Sequence, residues 1–174
     1  MKKQTISFIK LLLLSLVLIL LDQGSKYLAV RHLKAQPSFV LIKGVFQLTY
    51  AENIGAAFSI LENQQWFFIL TAILISGALL FGLWRLAKTP DAESKSAFIW
   101  GRVLGCMILA GALGNVIDRL SNGYVVDMFD FVLIHFPIFN VADSYITVAV
   151  AAVLVILLFF PQLYKKLEEG ITHA

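Results

Sequence analysis

Charge is scarce in this chain. Only 14% of its 174 residues are Asp, Glu, Lys or Arg, well below the about 25% of an average soluble domain. With 59% hydrophobic residues and a mean hydropathy of +0.83, that scarcity excludes an ordinary water-soluble globule. It points to an integral membrane protein built as one compact domain over residues 1–174. Cysteine is scarcer still. Cys106 stands alone inside an apolar segment, which excludes a disulfide framework and a multi-cysteine metal site; it reads as a small buried packing residue. His32, His135 and His173 form no HxxxH or HExxH pair, so a zinc protease has no support. Neither a metal nor a cofactor is expected. The net charge of +3 does not argue for nucleic acid, because the basic residues are scattered around the ends of apolar segments, where they encode topology. No repeat, low-complexity tract or second domain is present. No small-x-small cleavage site follows the run Leu11–Leu21 behind Lys2 and Lys3; the chain continues into Asp22-Gln23-Gly24-Ser25-Lys26. The run therefore reads as a retained first span rather than a signal peptide.

What is present are four apolar segments near the about 20 residues needed to cross a bilayer: 8–28, 66–84, 100–120 and 141–161. The third is the least obvious, being rich in glycine and ending in charged residues. With both termini in the cytoplasm, the inner side holds Lys2, Lys3, Lys10, Arg85, Lys88, Lys95, Arg102, Lys165 and Lys166, nine of the 14 basic residues. The outer side holds Lys26, Arg31, Lys34, Lys43 and Arg119. That bias favours this orientation and an even number of spans. Two outer connections follow, 29–65 and 121–140. In the first, 38–50 reads as short β-strands broken at Gly44, either a small sheet able to cradle a substrate at the membrane surface or an ordinary ordered loop, which the pattern alone does not separate. The second is itself apolar and is expected to be a loop dipping into the interface.

The informative residues gather at the outer face. Asp127 and Asp143 sit in stretches that are otherwise almost wholly apolar, Tyr124–Phe129 and Phe136–Asp143, and a carboxylate beside a membrane span asks for a functional reason. Asn140 is placed to cap the fourth helix with Asp143 three positions in. A helix N-terminus favours an ionised Asp143, whereas desolvation favours a protonated Asp127; this difference gives a base and an acid. Asp22 and Lys26, four apart with the acid first, read as a buried ion pair anchoring a helix end. Asn115 and Asp118 share a helix face, and Arg119 can either pair with Asp118 or donate to a peptide carbonyl. Asn53-Ile54-Gly55-Ala56-Ala57-Phe58-Ser59 offers an amide and a glycine, either a turn or a substrate contact. Gly101 and Gly105 form a GxxxG pair suited to close helix packing.

Five of these stretches occur in order: Asp22-Gln23-Gly24-Ser25-Lys26, Asn53 to Ser59, Gly114-Asn115-Val116-Ile117-Asp118-Arg119, Gly123-Tyr124-Val125-Val126-Asp127-Met128, and Phe136-Pro137-Ile138-Phe139-Asn140-Val141-Ala142-Asp143-Ser144. Together they resemble the lipoprotein signal peptidases (signal peptidase II), membrane aspartyl proteases of bacteria, over nearly the whole chain. The resemblance implies an all-α membrane fold of four transmembrane helices with a small extracytoplasmic β-cradle and a surface loop or helix. It implies a diacylglyceryl-modified prolipoprotein as substrate, cut just before the lipidated cysteine. It makes Asp127 and Asp143 the catalytic pair and Asp118 a supporting residue that holds Arg119 or the helix end. Asp22, Lys26, Asn53, Gly55, Asn115, Arg119 and Asn140 become supporting or substrate-binding. Globomycin, a cyclic peptide, is the inhibitor it implies. The enzyme is expected to be a monomer among the lipids of the bacterial inner membrane. Two other readings are open: a small proton-coupled transporter using the carboxylates as a relay, which predicts acids near the midplane, broken helices and often an internal repeat, and a non-catalytic membrane assembly partner, which the GxxxG pair permits but which does not account for the clustered Asp and Asn residues.

Overall fold

The computed structural model describes residues 2–55, 64–88, 96–160, 162 and 165. Four helices among them are long and apolar enough to cross a bilayer: α1 (Lys2–Leu33), α2 (Gln65–Lys88), α3 (Ser96–Asn122) and α4 (Val141–Phe159). Each contains or closely matches an expected span. α1 overshoots, since 32 residues rise about 48 Å; its polar Asp22–Lys26 turn does not break the helix because other elements satisfy those side chains.

The segment least obvious by hydropathy is the hub. In α3, 61% of the most apolar stretch is buried, against 17%, 17% and 11% in α1, α2 and α4, and α3 packs on all three. Its glycines explain how. A Cβ at Gly105 would lie 3.0 Å from Leu83 of α2. One at Gly111 would lie 2.5 Å from the Ala142 carbonyl oxygen of α4, and one at Gly114 would lie 2.5 Å from Asp22 Oδ2 of α1. Each glycine admits a different neighbour, the close approach that small residues permit in membranes. Cys106 is fully buried beside Leu11, Leu83 and Leu109 in the apolar core between α1, α2 and α3.

A three-stranded antiparallel sheet of order β1-β2-β3 lies at one end of the bundle, formed by β1 (Phe39–Ile42), β2 (Phe46–Asn53) and β3 (Val125–Asp130). Gly44 makes the turn between the first two with φ +73°, a backbone conformation in which glycine is unstrained. The third strand corrects the expectation of a loop over 121–140. Val126 and Met128 pack on Ala29 of α1, while Val125 lines a cavity on the other side. With both faces covered, the strand has no polar alternation to announce it. Beyond β3, a short 3-10 turn at Val132–Ile134 and Phe139 follow; Phe139 exchanges backbone hydrogen bonds with Phe129. That pairing lays Asn140, the start of α4, beside Asp127. Ala56-Ala57-Phe58-Ser59 and the connection 89–95 lie outside the described residues.

Candidate active site

The sheet positions the first carboxylate. Ala51 of β2 is opposite Asp127 of β3, so Asn53, two residues on, projects from the same face. Its Nδ2 donates to Asp127 Oδ2 at 2.9 Å, and its own Oδ1 accepts from the Gly55 N–H at 3.0 Å. Asn140 Nδ2 donates to the other oxygen of Asp127 at 2.6 Å.

The helix end positions the second. Asn140 is the N-cap of α4: its side chain accepts from the Asp143 N–H at 2.9 Å, and Asp143 Oδ2 accepts from the Asn140 N–H at 3.2 Å. This capping box satisfies two of the N–H groups that a helix start leaves unpaired. A third, on Ala142, donates 2.9 Å to Asp22 Oδ1, a cap supplied by α1 through the gap at Gly114. Asp143 Oδ1 accepts from Asn115 Nδ2 at 2.8 Å. Asn140 thus touches both carboxylates, and its Nδ2 also lies 3.2 Å from Asn115 Oδ1. Removing it with Asn140→Ala takes away a cap worth about 1 kcal/mol and a buried hydrogen bond to a carboxylate worth about 1.5 kcal/mol or more. Unfolding titrations in detergent should register a loss of about 2–3 kcal/mol, with Asn140→Ser, which keeps a cap, recovering part of it.

Behind this pair sits a buried charge cluster. Lys26 Nζ contacts Asp22 Oδ2 at 2.9 Å, Asp118 Oδ2 at 3.1 Å and Asn115 Oδ1 at 2.9 Å. The expected Asp22–Lys26 pair is present and buried. Of the two readings open for Arg119, pairing with Asp118 and donation to a peptide carbonyl, the second is the one seen; the ion-pair partner of Asp118 is Lys26. Asp118 also accepts from Gln23 Nε2 at 3.0 Å and from the Val126 N–H at 3.0 Å, which ties β3 to α3. Arg119 turns away and donates to the Gly55 carbonyl at 3.1 Å, its guanidinium 4.8 Å over the Phe68 ring. Its Nε has no hydrogen-bond partner among the described residues.

All ten residues singled out in the sequence therefore fall in one connected network. Gln23 joins it unassigned, donating to Asp22, the Gly114 carbonyl and Asp118. Its sequence signals were a polar side chain adjoining Asp22 in an apolar helix and its place inside the Asp22–Lys26 stretch.

A cavity of about 610 Å³ opens beside the network. Asn53, Asn115, Arg119 and Asp143 contribute polar groups to its wall, whereas Phe131, Phe136, Phe139 and Ile146 make it largely apolar. Asp127 does not line it. At 1% exposure it lies behind the Asn53 and Asn140 amides. Burial pushes its carboxyl up to about 7, and the negative charge of Asp143 acts the same way; the Asn53 and Asn140 hydrogen bonds and the charge of Lys26 oppose the rise.

Residues 14–160 match the family model described as Signal peptidase (SPase) II. The chain belongs to the signal peptidase II family. It is accordingly a multi-pass membrane protein and a protease. A lipoprotein signal peptidase of Brevibacillus brevis is 47% identical over 144 residues, spanning 82% of this chain and 90% of the relative. One of Streptococcus pyogenes serotype M1 is 42% identical over 149 residues, spanning 85% and 93%. A solved bacterial membrane enzyme superposes with a TM-score of 0.70 at 33% identity, covering 87% of this chain and 94% of that one. Signal peptidase II membership and this superposition agree with the fold described: four helices with a small sheet at one end.

Proposed function

We propose that this protein is an aspartic endopeptidase that removes the signal peptide from diacylglyceryl-modified bacterial prolipoproteins, cutting just before the lipidated cysteine. The observation that carries the reading is the Asp127–Asn140–Asp143 arrangement beside an apolar cavity, in a chain of the signal peptidase II family. Asp143, whose two oxygens accept N–H bonds, serves as the base and takes a proton from water. The hydroxyl forms a bond to the scissile carbonyl carbon while protonated Asp127 donates its proton to the carbonyl oxygen. The tetrahedral intermediate then breaks its C–N bond as one hydroxyl returns its proton to Asp127 and re-forms the C=O bond, and the amine leaves with the proton held by Asp143. Asn53 lines the cavity and covers Asp127, so it is the side chain that substrate turns aside. Arg119, whose side chain forms part of the cavity wall, holds a substrate carbonyl.

The apolar wall runs down α4 through Ile146, Thr147 and Val148, and Val148 is exposed on the helix surface. Lipid chains can therefore remain in the bilayer while the peptide reaches the carboxylates. On this reading the site lies at the outer face of the inner membrane with both termini in the cytoplasm, an orientation supported by the excess of Lys and Arg on the inner side. The relay reading predicted acids near the midplane. Instead, Asp127 lies in the sheet and Asp143 in the first turn of α4.

The test is cleavage of a synthetic diacylglyceryl-modified prolipoprotein by the purified protein in lipid, with product masses locating the cut. One cut before the modified cysteine, and none on the unmodified peptide, is expected; equal cleavage of both would remove the lipid from the reading. Because Asp127 acts as the acid, kcat should fall as pH rises through about 7. A rate still climbing well above that pH would reverse the acid and base assignment.

A further inference from the structure

We infer that Lys26, which hydrogen-bonds to neither carboxylate of the pair and does not line the cavity, is a positioning residue that fixes the direction of the Asn115 amide and, through it, the donors presented to Asp143 and Asp127. The inference rests on the aspartate-pair reading above.

The argument follows from what each group can do. An ammonium has three protons and no acceptor. Those of Lys26 go to three oxygens: Asp22 Oδ2, Asp118 Oδ2 and Asn115 Oδ1. Asn115 must therefore turn its oxygen towards Lys26, which leaves its NH2 facing Asp143 Oδ1 at 2.8 Å. Asn140 is fixed in the same sense, because its oxygen is held by the Asp143 N–H. Its NH2 then faces Asp127 Oδ1 and Asn115 Oδ1. Each amide supports the other's direction. With Lys26 gone, Asn115 gains by flipping: its NH2 would meet the carboxylates of Asp22 and Asp118, and its oxygen would face Asp143. The flipped NH2 would also oppose that of Asn140. Asp143 would lose a donor and meet an acceptor, an environment suited to a carboxylic acid rather than a carboxylate.

The charged and titratable groups around the network are Asp22 and Lys26 from α1, Asp118 and Arg119 from α3, Asp127 from β3, and Asp143 and Tyr145 from α4. Lys26 is the cation paired with the acids of this group; Arg119 is turned to Gly55 and Phe68.

Lys26→Gln, which can donate or accept, tests the direction. With the diacylglyceryl-modified prolipoprotein as substrate, kcat should fall on the order of a hundredfold, with KM changed less than about threefold. The pH–rate profile should move up by about one pH unit, since a cation beside the pair is lost. Lys26→Arg, again donor-only, should restore the wild-type profile and most of kcat. A purely structural lysine would change the folded yield but not the profile of the folded fraction. If Lys26→Gln does not fold, Lys26→Met/Asp22→Asn replaces it. That pair of changes keeps the cluster's net charge, an oxygen for the Ala142 N–H and a donor for Asp118, and should give the same fall in kcat with a smaller shift of the profile, because an anion is removed together with the cation. A folded variant of either kind with wild-type kcat and profile overturns the inference. If Asp127→Asn or Asp143→Asn cleaves normally, the pair reading falls and Lys26 has nothing to position. If both are inactive while Lys26→Gln is normal, only the positioning role falls.

Discussion

Replacing Asp127 or Asp143 by asparagine is expected to lower turnover of a diacylglyceryl-modified prolipoprotein by at least about a thousandfold. An amide can neither take a proton from water nor give one to a carbonyl oxygen. The folding penalty is much smaller. Asp127 accepts from Asn53 and Asn140, and an amide keeps only one of those two bonds, a loss of about 1 kcal/mol. Asp143→Asn likewise retains one of its two accepted bonds. Unfolding curves should therefore stay near wild type while product disappears. The double variant should be little worse than either single one, because in the proposed mechanism the two carboxylates act in one step. Asp118→Asn belongs in the same series. Asp118 is committed to Lys26, Gln23 and the Val126 N–H, so its replacement should be marked first by lost stability. A near-normal rate for either member of the pair would sink the assignment.

The second large effect is expected from one methyl group. In Gly111→Ala the new Cβ would sit 2.5 Å from the Ala142 carbonyl oxygen and 2.7 Å from Ile146 Cγ1. The first obstacle is backbone, so α4 must move as a unit. Overpacking of this kind costs about 1–3 kcal/mol. The displacement also carries Asp143 away from Asn115 and from the cavity, and a shift of about 1 Å at a reacting group can cost a hundredfold in rate. Unfolding titration and the cleavage assay read the two effects separately. Gly77→Ala is the control: nothing lies within 4 Å of its added Cβ, and in a helix interior the change should be neutral or stabilising by up to about 1 kcal/mol. Equal behaviour of the two variants would mean that α3 and α4 are not in the close contact described.

Part of this architecture was legible in the sequence and part was not. α1, α2 and α4 were visible because a lipid-facing helix must be apolar along its length. α3 was fainter because its exposure to lipid is small and its glycines serve contacts instead. β1 and β2 were read from their β-branched and aromatic residues and the break at Gly44. β3 was hidden because α1 covers one face and the cavity lies against the other. Asp127 and Asp143 stood out as charges in apolar surroundings, and Asn140 as a cap. The partner of Asp118 could not be read, since Arg119 is its chain neighbour whereas Lys26 lies on another helix. That Asp127 would be shielded from the cavity by two amides depends on the register of β2 against β3, which composition does not encode.

The placement of Asp22 and Lys26 four residues apart has a consequence for how the protein is made. Chains emerge from the N-terminus, so α1 reaches the membrane first. Asn115 follows Lys26 by 89 residues, and Ala142 follows Asp22 by 120. A lone charge at the centre of a span costs about 2.5–3.5 kcal/mol to insert. Neutralising each other across one helical turn, the two charges let the first span wait in the bilayer through the synthesis of the second and third. The fourth span then supplies the N–H of Ala142 together with Asp143, so the proposed carboxylate pair is complete only once the last span is in place.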